Sequence, residues 1–125
     1  MRKIISYLFL LLPAALHAGE ADVIAANVEP MGGNYFRIEV TVRHKDEDWD
    51  HYVKSWEVVD MDGKTLGVRA LRHPHVNEQP FTRAATVFIP AAIDKVVVRA
   101  YDSVHGTGGN ELMLYINRDI NDETN

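Results

Sequence analysis

The sequence Tyr-Phe-Arg-Ile-Glu-Val-Thr-Val-Arg-His, at residues 35–44, alternates between side chains of two faces. The apolar positions from Phe36 to Val42 fall on one face, because successive side chains of a β-strand point to opposite sides. His44 shares the parity of that apolar face, so we expect it to point inward where the strand ends. The stretch therefore predicts a half-buried strand that carries a histidine to one end of a β-sheet protein.

Six more segments have the composition of strands and are bounded by turn residues such as glycine, proline and aspartate. They are residues 21–29, 52–60, 65–71, 82–89, 95–102 and 111–117. No stretch of useful length shows the period of about 3.6 residues that marks an amphipathic helix. Short strands at this spacing predict an all-β fold, an immunoglobulin-like antiparallel β-sandwich of about seven strands.

The N-terminus has the pattern of a signal peptide. Arg2 and Lys3 precede an apolar run at residues 4–16, and small residues follow it. Cleavage after Ala18 or after Ala21 fits this pattern. The run is shorter than the roughly 20 apolar residues of a membrane span, and no later segment approaches that length. The mature protein is therefore expected to be periplasmic or secreted.

The chain has 125 residues, which we divide into a signal peptide (1–18), one immunoglobulin-like domain (19–117) and a polar C-terminal tail (118–125). The formal net charge is -5 at pH 7, and basic residues form no cluster. We therefore expect neither nucleic acid nor, after cleavage, a membrane as a partner. The chain contains no cysteine, so a metal site would have to use nitrogen and oxygen ligands.

The histidines are distributed so that the fold would bring them together. In an up-and-down succession of strands the connections alternate between two ends, and tight turns near Gly32, Gly63 and Ala91 take one end. The three remaining loops share the other end. These loops contain all histidines after residue 18: His44, His51, His73, His75 and His105.

This convergence predicts a metal site. Imidazole is the commonest side-chain metal ligand, and three or four imidazoles from separate loops would hold a single ion. Asp102 has inward parity at the end of its strand, and the acidic residues at 46–48 and 50 lie nearby in sequence. They are candidate ligands or acceptors for imidazole N–H groups. The competing interpretation is a set of hydrogen-bonded loop histidines, a solvated acidic loop and a flexible glycine-rich loop at 103–110.

Two motifs in the region 36–106 carry a family resemblance. The first is His44, followed by His51-Tyr52-Val53 and Trp56, and the second is Arg-Ala-Tyr-Asp-Ser-Val-His-Gly at residues 99–106. Together they resemble the iron domain of superoxide reductases and desulfoferrodoxins. In that family a strand ends in a histidine, a second histidine follows six residues later, and Cys-Asn-x-His-Gly comes near the end. Here the two histidines are one residue further apart.

The resemblance implies an immunoglobulin-like sandwich that binds ferrous iron through His44, His51 and His105. Asp102 stands where the family has a cysteine. A carboxylate does not push electron density onto iron as a thiolate does. We therefore expect superoxide reductase activity to be weak or absent.

These observations lead us to expect an exported domain that binds one metal ion. Iron is implied by the resemblance, and copper, zinc or nickel is allowed by imidazole ligands. His73 or His75 would supply a fourth imidazole from the adjacent loop. The expected partner is a small oxidant such as superoxide, or a redox or metal-delivery protein. The alternative is a non-catalytic immunoglobulin-like binding module or a metal carrier in the periplasm.

Overall fold

The computed structural model describes residues 20–45 and 49–118, so the predicted signal peptide, the acidic positions 46–48 and residues 119–125 lie outside it. Seven strands form in this part of the chain: β1 (Asp22–Gly32), β2 (Tyr35–Arg43), β3 (Val53–Val59), β4 (Thr65–Ala70), β5 (Phe81–Phe88), β6 (Lys95–Asp102) and β7 (Leu112–Tyr115). Within the described ranges there is no helix with the length and apolar character needed to cross a membrane.

The strands form two antiparallel sheets, one with the order β1-β2-β5 and the other with the order β4-β3-β6-β7. The predicted all-β sandwich of seven antiparallel strands is therefore confirmed. In a constant-type immunoglobulin domain the fourth strand lies beside the fifth in the first sheet. Here β4 pairs with β3 instead, so the four-stranded sheet is the one that contains β3, β6 and β7.

The core lies between the two sheets, and β2 shows how the alternating sequence builds it. The apolar side chains from Phe36 to Val42 are at most 1% exposed, and Trp56 of β3 is fully buried. Fully burying a side chain of this kind contributes about 1.5–3 kcal/mol. His44, at the end of the same face, is 3% exposed. The inward parity predicted for His44 is therefore confirmed.

β1 extends beyond its predicted end at residue 29 and continues to Gly32. Pro30 is paired with Phe36 in the ladder, with a register shift between Pro30 and Gly32. A proline is tolerated there because β1 is an edge strand, so its missing N–H does not interrupt an interior ladder. Pro30 therefore does not mark the end of β1.

The connections alternate between the two ends of the sandwich, as predicted. Gly33 (φ 60°) and Gly63 (φ 87°) occupy the turns after β1 and β3, in a conformation that glycine adopts without a Cβ clash. At the opposite end Val53 pairs with Asp102, so the start of β3 and the end of β6 lie side by side. We call that end, where three loops meet, the histidine pole: residues 44–45, 49–52, 71–80 and 102–110.

Candidate metal centre

Asp102 is the last residue of β6, and its side chain is fully buried at the centre of the histidine pole. Its backbone closes the following turn through two hydrogen bonds with Gly106, at 2.8 and 2.9 Å. Its Oδ2 accepts hydrogen bonds from the backbone N–H groups of Val104 (2.9 Å) and His105 (2.6 Å). Backbone groups of its own loop therefore hold the carboxylate in place, independently of the imidazoles.

Three imidazoles surround this carboxylate. His44 Nε2 lies 2.5 Å from Oδ1, and His51 Nε2 lies 3.0 Å from Oδ1 and 3.1 Å from Oδ2. His105 Nδ1 lies 2.9 Å from Oδ2. The ring centres of His44 and His51, and of His51 and His105, are each 5.0 Å apart. Four residues, from the β2–β3 connection and from the end of β6 with the loop after it, thus form one cluster.

The cluster opens towards solvent on one side. The side chain of His44 is fully buried, that of His51 is 14% exposed and that of His105 is 35% exposed. His105 therefore lies at the mouth of the site, and His44 lies at its base.

The donor atoms of His44, His51 and Asp102 lie within 4.8 Å of one another, so the group can hold a metal ion. This span is close to the roughly 4 Å reached by opposite ligands whose bonds to a metal are about 2.1 Å long. Oδ1 of Asp102 is close to two imidazole nitrogens, yet among the described residues it has no partner with hydrogen-bond geometry. The other oxygen, Oδ2, has hydrogen-bond geometry with both His51 and His105.

The surroundings of Asp102 lower the pKa of its carboxyl group, which favours the ionised form at neutral pH. Burial raises the pKa of Asp102, but the backbone N–H groups of His105 and Val104 lower it, and the charges of His44 and the bond from His105 lower it further. The net effect is a pKa below the ordinary value. An ionised carboxylate only accepts, so Nδ1 of His105 must donate its proton, which leaves Nε2 as the ring's lone-pair nitrogen.

Two residues that the sequence did not single out as site residues hold these loops together. Ser103 Oγ accepts a hydrogen bond from the backbone N–H of Tyr52 (3.0 Å), and the N–H of Ser103 donates to the Tyr52 carbonyl (2.9 Å). Gln79 Oε1 accepts from the N–H of His44 (2.9 Å), and Gln79 Nε2 donates to the carbonyl of His75 (2.8 Å). No sequence pattern marks such side chains, because they bond to backbone groups of loops that meet only in the fold.

The predicted site residues separate into two groups. His44, His51 and Asp102 form the three-residue set, and His105 contacts it through Asp102. His73 and His75 are not members of that set, so a ligand role for either at this centre stays a prediction. Their rings pack on each other at 4.6 Å, and the ring of His75 also stacks on Phe81.

The chain has little similarity to known protein families and solved structures. No protein-family model matches the chain, and no solved structure matches it significantly. The chain is 37% identical over 95 residues to a protein of Halomicrobium mukohataei that carries the name "Putative lipoprotein". The match covers 76% of this chain and 47% of that protein. The chain therefore spans about half the length of the curated relative that it matches.

Proposed function

We propose that the protein is an exported metal-binding domain that holds one first-row transition-metal ion at His44, His51 and Asp102. The observation that carries this proposal is the approach of three donor atoms, two from the β2–β3 connection and one from the end of β6, to within 4.8 Å of one another at a largely buried position. Buried histidines and aspartates need partners, and here their partners are each other. His105 is the candidate for a further ligand or for a group that exchanges at the mouth of the site.

Iron is the metal that we favour. Two imidazoles and one carboxylate are the donor set of mononuclear non-haem iron(II) sites with open positions, although imidazole also suits copper, zinc and nickel. The resemblance to the superoxide reductase and desulfoferrodoxin iron domain supports the same choice. When bound, iron would supply one-electron chemistry towards a small oxidant such as superoxide. We propose a superoxide-reductase-like domain of low or no reductase activity, because Asp102 cannot replace the thiolate electronically.

Export is supported by the charged and apolar N-terminal pattern of residues 1–18. The name of the Halomicrobium mukohataei relative, a lipoprotein, is that of an exported and anchored protein. Since no cysteine occurs in the 125 residues, our proposal for this chain is a periplasmic or secreted protein without a lipid-modified cysteine.

A metal carrier is the second candidate. It is favoured by one observation, the 35% exposure of the His105 side chain at the mouth of an otherwise buried cluster. An exposed ligand can be exchanged with a redox or metal-delivery partner more readily than a buried one. Carrier and enzyme are separated by measuring superoxide consumption by the iron-loaded protein alongside the rate at which it gives iron up to a chelator.

The decisive experiment is metal binding by the mature protein at neutral pH. Elemental analysis and anaerobic Fe²⁺ titration should give one tightly bound ion per chain. His51→Gln and Asp102→Asn should weaken binding about 10- to 100-fold, the usual effect of removing a ligand or its orienting partner. Asp50→Asn is the matched control, because it removes an exposed carboxylate from the same loop as His51.

Thermal unfolding of each variant shows whether the fold survives. A folded wild-type protein that binds no Fe²⁺, Zn²⁺ or Cu²⁺ at neutral pH would contradict the proposed function. Equal loss of affinity in Asp50→Asn would also contradict it, because the site would then be the acidic loop.

A further inference from the structure

A second pair of imidazoles lies at the histidine pole, in the loop between β4 and β5. His73 is exposed, His75 is 4% exposed, and their ring centres are 4.6 Å apart with an angle of 37° between the rings. Neither belongs to the set formed by His44, His51 and Asp102. The pair therefore needs its own explanation.

The orientation of both rings is fixed. His73 Nδ1 lies 3.1 Å from the carbonyl oxygen of Pro74, and since a carbonyl can only accept, Nδ1 is the donor and Nε2 keeps its lone pair. A histidine whose second nitrogen donates to a backbone carbonyl is the arrangement usual for metal ligands. The ring of His75 is stacked on Phe81 with centres 4.0 Å apart and planes within 10°.

The spacing of the ring centres is compatible with two imidazoles on one ion. With a metal–nitrogen bond of about 2.1 Å, the centre of each ring lies roughly 3 Å from the metal, and two such rings in adjacent positions lie about 4.5–5 Å apart. The observed distance of 4.6 Å falls in this range. The intervening Pro74 restricts the backbone, so holding the two rings at this spacing costs little additional conformational entropy.

One carboxylate, that of Glu78, lies in the same loop as the two rings. Glu78 is bonded to Arg83, whose hydrogen bond is the main reason that the pKa of Glu78 is lowered, and the charges of His75 and His73 lower it further. Both oxygens of this carboxylate are bonded to the Arg83 guanidinium, so its charge is already paired. The loop therefore contains two imidazole donors and a negative group within one stretch of six residues, 73–78.

We infer that His73 and His75 form a second binding site for a divalent transition-metal ion, reached from solvent through the exposed His73 and separate from the buried centre at Asp102. This inference goes beyond the proposed function and does not depend on it. Cu²⁺ is the ion expected to bind there most tightly, because it heads the affinity order of the divalent first-row metals for nitrogen ligands. Two imidazoles leave the other positions to water, so this site is the weaker of the two.

The test is a Cu²⁺ titration of the mature protein, followed by native mass spectrometry and by electron paramagnetic resonance. The wild-type protein should bind two ions per chain. His73→Gln should weaken binding of the second ion at least about tenfold and leave the first unchanged. Asp102→Asn should do the reverse. Arg72→Gln, a change at the exposed neighbouring residue, is the matched control and should behave like the wild-type protein.

His75→Phe provides a second variant, because it keeps an aromatic ring against Phe81 and removes the donor. It should repeat the effect of His73→Gln. A wild-type protein that binds a single ion insensitive to His73→Gln, or two ions in both variants, would overturn the inference. So would a loss of the tight ion in His73→Gln, which would make His73 a ligand of the buried centre. If the weak ion binds and the tight one does not, only the proposed function fails.

Discussion

At the scale of single residues, Asp102 explains why the histidine pole has its shape. A fully buried ionised carboxylate is costly unless it is hydrogen-bonded and paired. Asp102 is bonded to two backbone N–H groups and lies against three imidazoles. Its inward orientation was predicted from strand parity and is confirmed by its complete burial.

Asp102→Cys tests whether this position is a metal-ligand position. On the resemblance, a cysteine here would give sulfur coordination, so the oxidised iron form should gain an intense charge-transfer band and faster superoxide consumption. Optical spectroscopy and stopped-flow assays measure the two effects. Ser103→Cys is the control, because Ser103 Oγ is directed at the backbone of Tyr52 and should give no band. An iron-loaded Asp102→Cys protein without a new band would show that residue 102 is not a ligand.

The lowered pKa of Asp102 predicts a pH dependence of stability in the metal-free protein. A carboxyl group whose pKa is lower in the folded state stabilises the fold above its unfolded value of about 3.9, and this contribution is lost as pH falls through the folded value. With chelator present, Asp102→Asn should therefore be less stable than wild type by about 1–3 kcal/mol at pH 7. Urea unfolding should show this difference shrinking below about pH 4. A difference that stays constant down to pH 3 would contradict the assignment of an ionised, buried Asp102.

At this scale, the sequence predicted the orientation of side chains in regular strands and not that of side chains in irregular loops. His44 and Asp102 end strands whose alternation was visible, so their inward parity could be counted. Gln79 and Ser103 lie in irregular loops and bond to backbone groups far away in sequence. No periodicity reports on such bonds, and these two positions became visible only in the fold.

At the scale of elements, the glycine-rich loop after β6 is packed against β1, although the sequence led us to expect a flexible loop. The N–H of Asn110 donates to Asp22 Oδ1 (2.8 Å), and the Asn110 carbonyl accepts from the N–H of Val23 (2.9 Å). A Cβ at Gly109 would lie 1.7 Å from the carbonyl oxygen of Ala21. Glycine is needed here for close approach, a requirement that composition alone does not distinguish from flexibility.

Gly108 and Gly109 make a matched pair for testing this packing. Gly109→Ala must push the Ala21 backbone away, so it should destabilise the protein by about 1–3 kcal/mol or more. Gly108→Ala meets only the carboxylate end of Glu20, at 2.7 Å, which can rotate away. It should cost less than about 0.5 kcal/mol. Urea unfolding measures both, and equal midpoints for the two variants would show that the loop is not held against β1.

At the scale of the whole molecule, the two ends of the sandwich have different roles. The histidine pole gathers the candidate ligands, and the opposite end is closed by Arg118, the first residue of the predicted tail. The guanidinium donates to Asn34 Oδ1 (2.8 Å) and to the carbonyl oxygens of Ile89, Pro90 and Ile93 (2.7–3.2 Å). Nothing in the polar tail sequence predicted this closure, because the four acceptors come from two separate turns.

Arg118→Lys should therefore lower stability without affecting metal binding. A lysine cannot reproduce the planar fork, and leaving carbonyl acceptors unpaired should cost about 1–3 kcal/mol in urea unfolding. Residues 34 and 44 lie at opposite ends of β2, roughly 30 Å apart at about 3.3 Å per residue, so the affinity for Fe²⁺ should stay within about twofold of wild type.

In the double variant with Asp102→Asn, the two losses of stability should add within about 0.5 kcal/mol. Arg37→Lys is the control, because the Arg37 side chain is 41% exposed and its ion pair with Glu39 is 3.7 Å long, and it should change stability by less than about 0.5 kcal/mol. A metal affinity that falls in Arg118→Lys would mean that the two ends are coupled through the sandwich, and the histidine pole could then not be treated as a site built by its own three loops.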